Sequence, residues 1–129
     1  MLLSKADQKR FPKFRKFVYD TAPRLARTEV VTEMADLTGL RAGLIRDALK
    51  PGNFPKVSIV SSLQCRGRNG AAVGCFRPDL PEQIEVVEEL VRCDESGECA
   101  TASWEDRQVE TIILRHSHVT VLHELVHYA

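Results

Sequence analysis

Near the end of this chain stands His123-Glu124-Leu125-Val126-His127, an H-E-x-x-H pattern whose chemistry depends on its being helical. On a helix, residues four apart lie one turn above each other on one face. His123 and His127 can then place two imidazole nitrogens on a single zinc ion, each at about 2.0–2.1 Å. Glu124 is one position round from His123 and off the ligand face. Its carboxylate can reach a water held on the metal and act as a general base.

The surroundings decide whether so short a pattern carries weight. Val119, Val121, Leu122, Leu125 and Val126 make the stretch apolar and buried-looking, and all four histidines fall between His116 and His127. A carboxylate on so apolar a helix is costly unless it has a role. The plainer alternative is a core helix with two hydrogen-bonded histidines. A catalytic zinc usually takes three protein ligands and a water, and the helix supplies two. The in-chain candidates for the third are His116 and His118, and the stronger expectation is a Glu, His or Asp beyond Ala129. With no Gly or Asn cap and no Lys or Arg in its last turn, the helix reads as the end of a C-terminally truncated domain.

At 129 residues the chain is long enough for one domain with a modest core. Its 18 basic and 18 acidic residues cancel, so no overall field draws it to nucleic acid or an anionic membrane. No apolar run reaches the roughly 18 residues of a membrane span, and Met1-Leu2-Leu3-Ser4-Lys5 lacks a signal-peptide core. The cysteines point to an oxidising destination. Cys65 and Cys75 bracket a loop containing Asn69-Gly70, and Cys93 and Cys99 bracket Asp94 to Glu98. Neither spacing is a zinc knuckle. Two local disulfides, Cys65–Cys75 and Cys93–Cys99, are expected, each worth about 2–3 kcal/mol on the chain-entropy model.

Residues 1–54 read as helical. Phe11, Phe14, Phe17 and Val18 stand at helical spacing, and Pro12 fits only near the start of their helix. The stripe is expected in the core, and the Lys and Arg residues around it on a solvated face. Thr28 caps a helix from Glu29 to Leu37 that stops at Gly39, and another runs from about Arg41 to Leu49, ending at Lys50-Pro51-Gly52. Ala35, Gly39 and Ile45 have the spacing of helix-turn-helix DNA readers, with Arg41, Arg46 and Lys50 available for phosphates. A packed helical hairpin is the simpler expectation.

Residues 55–129 change character. Val57-Ser58-Ile59-Val60-Ser61 predicts a strand. Phe76 to Pro81 reads as a turn-rich connector, and Ile84 to Val87 as a second strand running into a short helix through Val91. Ser103 to Asp106 resembles a capping box, followed by a stretch to His116 read as helix, with Trp104 in the core or over it. The small sheet would lie beside the metal helix and offer an edge to an extended peptide.

The stretch Cys75 to Val86, followed by Thr120-Val121-Leu122-His123-Glu124-Leu125-Val126-His127-Tyr128, resembles the bacterial toxin-type zinc metallopeptidases, above all those fused to type VI secretion spike (VgrG) proteins. The resemblance covers roughly residues 55–129, and the H-E-L-V-H helix is its specific part. It implies a zincin-like α+β fold, with N-terminal helices, a small β-sheet and a C-terminal metal-binding helix. It implies His123 and His127 as Zn2+ ligands and Glu124 as the base. The family's acidic third ligand has no counterpart here. The implied biology is an antibacterial effector, carried by a secretion spike into the periplasm of a rival cell. There it would cut a protein or a peptidoglycan peptide, and an immunity protein would restrain it. Neither nucleic-acid binding nor membrane insertion belongs to this reading. The alternative is a non-catalytic DNA-binding or adaptor module built on residues 28–50, with structural histidines.

Overall fold

The Ser4 hydroxyl accepts a hydrogen bond from the Asp7 amide at 3.1 Å, which satisfies one of the open donors of a helix start and begins α1 (Lys5–Arg10). Pro12 cannot continue that helix and restricts Phe11 before it, which turns to φ −129°. The proline instead opens α2 (Pro12–Lys16). A π-helical turn (Phe17–Thr21) and α3 (Ala22–Leu25) follow. The helix expected from Pro12 is therefore present, but a separately capped helix precedes it. Phe11, Phe14, Phe17 and Val18 are all buried, as their spacing requires.

The computed structural model describes residues 1–63, 74–76, 79–97 and 117–128, apart from the side chains of His118 and Val119. Within it, Thr28 caps α4 (Glu29–Thr38) by accepting from the Val30 amide, and Gly39, at φ 72°, closes it in the left-handed conformation that suits glycine. Helix α5 (Ala42–Leu49) packs back on α4 as the expected hairpin. Strand β1 (Lys56–Val60) follows, then β2 (Gly74–Phe76) and β3 (Gln83–Val87). Helix α6 (Glu88–Ser96) ends at Gly97, at φ 79°, and α7 (Ser117–Tyr128) carries the H-E-x-x-H residues.

Two local readings change. Phe76, taken as the start of a connector, belongs to β2, a strand not foreseen. The short helix expected to run through Val91 extends to Ser96, taking in Cys93 and Asp94, because it continues until a glycine can stop it. The loop between Cys65 and Cys75 and the stretch Ser103 to His116, with Trp104, lie outside the described residues.

The sheet is mixed, in the order β1-β3-β2. Strand β3 runs parallel to β1, with Val57 beside Ile84 and Ile59 beside Val86, and antiparallel to β2, with Gly74 beside Val86 and Phe76 beside Ile84. Paired residues point to the same face, so Val57, Ile59, Ile84, Val86 and Phe76 share one side. Their side faces the helices in a single core with Phe14, Ile45, Leu49, Val91, Val121 and Leu125. Leu2 bridges to Lys56 at the outer edge of β1, and β2 lies on the other side of β3, last in the sheet among the described residues. The architecture is α+β, with N-terminal helices, a small sheet and the histidine-bearing helix last. Among the described residues no helix is long and apolar enough to cross a membrane.

Candidate metal centre

Helix α7 sorts its side chains sharply. Ser117, Thr120, Val121 and Leu125 are buried, and they pin the helix to the sheet and to α6. His123 and His127 point the other way and are exposed. Their rings lie one turn apart, with centroids 5.0 Å from each other and planes at 78°. One nitrogen from each ring and one Glu124 oxygen all fall within 4.8 Å of one another.

Glu124 stands at the border between the two sides. It is only 9 % exposed, and its Oε1 lies 3.2 Å from His123 Nδ1. A carboxylate taken this far from water needs a cation or a donor beside it. Two exposed imidazoles with a carboxylate beside them could hold a metal ion, and imidazole suits zinc, copper, iron or nickel. The exposed side of the histidines leaves room for further ligands, water included.

Among the described residues, three contacts help to set the position of this helix, and the sequence did not single out the residues that make them for that role. The first is Gly74 in strand β2. A β-carbon there would stand 2.3 Å from Thr120 Cγ2, 3.0 Å from Glu124 Cγ and 3.5 Å from Glu124 Oε1. The strand can lie this close only because residue 74 has no side chain, a recognised use of glycine in strands. The second is Asp94 in α6. Its Oδ2 accepts from the Ser117 amide at 2.6 Å and also from the Ser117 hydroxyl. It thereby caps α7 from another element. The third is an edge-on contact of Phe76 with Tyr128, at 6.5 Å between centroids. The available signals were an isolated glycine beside a cysteine and a serine at the head of an apolar helical run.

His118 lies on α7, but its side chain is not described, and His116 is outside the described residues. Neither is placed with respect to the cluster. Cys75 and Cys93 are disulfide-bonded, while Cys65 and Cys99, their expected partners, lie outside the described residues. Cys75 follows Gly74 and Cys93 precedes Asp94, so each crosslinked residue adjoins a contact that holds α7.

Residues 7–129 match a protein family described as metallopeptidase toxin 3. No curated protein and no solved structure matches the chain.

Proposed function

Because the chain belongs to the metallopeptidase toxin 3 family, we propose that it is a zinc-dependent peptidase acting as an antibacterial effector in the periplasm of a target cell. The observation that carries the chemistry is the buried Glu124 carboxylate within reach of both exposed histidines. His123 and His127 would hold Zn2+, with His116 and His118 the candidates in this sequence for a third ligand. When bound, the metal supplies Lewis acidity toward a peptide carbonyl and toward water.

The chain's own residues do the rest. Glu124 takes a proton from the attacking water as its oxygen adds to the carbonyl carbon. It then delivers that proton to the amine nitrogen as the carbon–nitrogen bond breaks. Its burial keeps bulk water from competing for the carboxylate. Gly74 lets strand β2 approach Glu124. The substrate would be a periplasmic protein or a peptidoglycan peptide.

Delivery by a secretion spike and restraint by an immunity protein belong to the same proposal. They rest on the toxin family and on the resemblance of the H-E-L-V-H region. Disulfides at Cys75 and Cys93 suit an oxidising compartment, and local pairing, Cys65–Cys75 and Cys93–Cys99, is the connectivity proposed.

The test is Glu124→Gln in zinc-loaded protein. Hydrolysis of a denatured protein substrate should fall by about 10²–10⁴, the usual contribution of general acid–base catalysis, with zinc content unchanged. Unaltered hydrolysis in this variant would rule out the role given to Glu124.

A further inference from the structure

The charges of this chain cancel only in total. Residues 5–27 hold eight lysines and arginines against two acidic residues, Asp7 and Asp20, whereas the remainder holds ten against sixteen. A solvated surface normally mixes the two signs. So one-sided a stretch makes a local positive field that the zero net charge hides.

The fold puts that excess in solvent. Lys5 and Lys9 lie one turn apart on α1, and Lys13 and Lys16 share a face of α2. All four are exposed, as are Arg24 and Arg27 further on, while Phe11, Phe14 and Phe17 are buried beneath. Among the described residues, none of these six cations is paired with a carboxylate. The ion pairs of α1 go to Arg10, which meets Asp7 at 3.7 Å and also Glu88. The large apolar side chains left exposed among the described residues are Val30, Leu37, Leu44, Phe54 and Leu80, and none of them belongs to residues 5–27.

That chemistry selects a partner. Protein interfaces have a desolvated centre in which aromatic residues and Arg are enriched and Lys is depleted, the reverse of what stands here. Reading duplex DNA takes a helix or ribbon carried into a groove, and α1 and α2, of 6 and 5 residues, are broken apart at Phe11. Lysine is a hydrated point charge on a flexible stem. Several together suit a fluid layer of anionic headgroups, which asks for no fixed geometry.

We propose that the surface formed by Lys5, Lys9, Lys13 and Lys16 docks the protein peripherally on an anionic phospholipid leaflet. Attraction between the lysines and the lipid phosphates holds it there, with no segment entering the bilayer. The inference is independent of the peptidase reading, since it concerns where the chain rests and not what it cuts.

The test is co-sedimentation of the full chain with vesicles of mixed phosphatidylglycerol and phosphatidylcholine, beside vesicles of phosphatidylcholine alone. Binding should require the anionic lipid and should fall as salt is raised, because exposed charges are screened. The double variants Lys5→Gln/Lys9→Gln and Lys13→Gln/Lys16→Gln should each weaken it by about 20–30-fold, at about fivefold per cation near an anionic surface. Changing all four lysines to Arg should preserve it. Thermal melts of these variants should match the wild type, since all four side chains are exposed. No binding to the anionic vesicles at low salt, or binding unmoved by both double variants, would overturn the proposal. Stronger binding to polyglutamate, standing for an acidic protein, or to duplex DNA than to the vesicles would also overturn it. So would self-association of the wild type that both double variants abolish, because a second copy would then occupy the lysine surface.

Discussion

Gly74 and Glu124 are in contact across the joint between strand β2 and the histidine helix, so close that a β-carbon on residue 74 would come within 3.0 Å of Glu124 Cγ. The same carbon would overlap Thr120 Cγ2 at 2.3 Å. Gly74→Ala should therefore push strand and helix apart, at a cost of about 1–3 kcal/mol, as overpacked sites show. Hydrolysis should fall with it, since Glu124 moves. Thr120→Ser removes the clashing methyl and keeps the hydroxyl, so the double variant should regain much of the loss. Thermal melts and turnover of the two single variants and the double variant check this coupling.

Asp94 acts on the helix from its other end. Its carboxylate accepts from both the amide and the hydroxyl of Ser117, and Ser117 is fully buried. Asp94→Ala should cost about 1–2 kcal/mol, the range for a lost N-cap, and should weaken zinc binding by loosening α7. Asp94→Asn, which retains an acceptor oxygen, should recover part of both. Urea unfolding and a competitive zinc titration measure the two effects separately.

Much of this arrangement could be read from the residues. The period of His123 and His127 placed both on one face, and the apolar neighbours of Glu124 foretold its burial. Thr28 and Gly39 marked the limits of α4 because each has a distinct local job, as cap and as left-handed terminator. Strand β2 escaped notice for a physical reason. At three residues, one of them glycine, it has no alternation of its own and exists through its pairing with β3. The Asp94–Ser117 cap joins residues 23 apart in sequence, and no local pattern encodes it. The split between α1 and α2 was hidden because Ser4 and Pro12 each signal a helix start.

With Met1 as the first residue, its amine donates to the carbonyls of Ala48 at 2.8 Å and Lys50 at 2.6 Å. Burial lowers this amine from its ordinary 8.0 to about 6. Between those values the unfolded chain binds a proton that the folded chain does not, so stability rises with pH. The contribution is lost as pH falls from 8 toward 6 and flattens below. Urea midpoints, measured with chelator present, should climb across this window, and an N-acetylated chain should lack that part of the slope. Identical slopes would contradict the assignment.

Cys75 and Cys93 are both disulfide-bonded, and each adjoins a residue that holds α7. Non-reducing peptide mapping should show Cys65 joined to Cys75 and Cys93 joined to Cys99. Reduction should destabilise the fold by about 2–5 kcal/mol, the usual cost of losing a native disulfide in a small domain, and should lower zinc affinity along with it. A crossed pairing would contradict the local connectivity.

The account depends most on a metal held by His123 and His127, and elemental analysis of the purified chain tests it directly. After incubation with zinc and removal of the excess, wild-type protein should carry about one zinc per chain, the stoichiometry of a single catalytic site. His123→Ala and His127→Ala should carry essentially none while remaining folded, since both side chains are exposed. Equal zinc in the wild type and both variants, or none in any of them, would contradict the metal centre and the chemistry built on it.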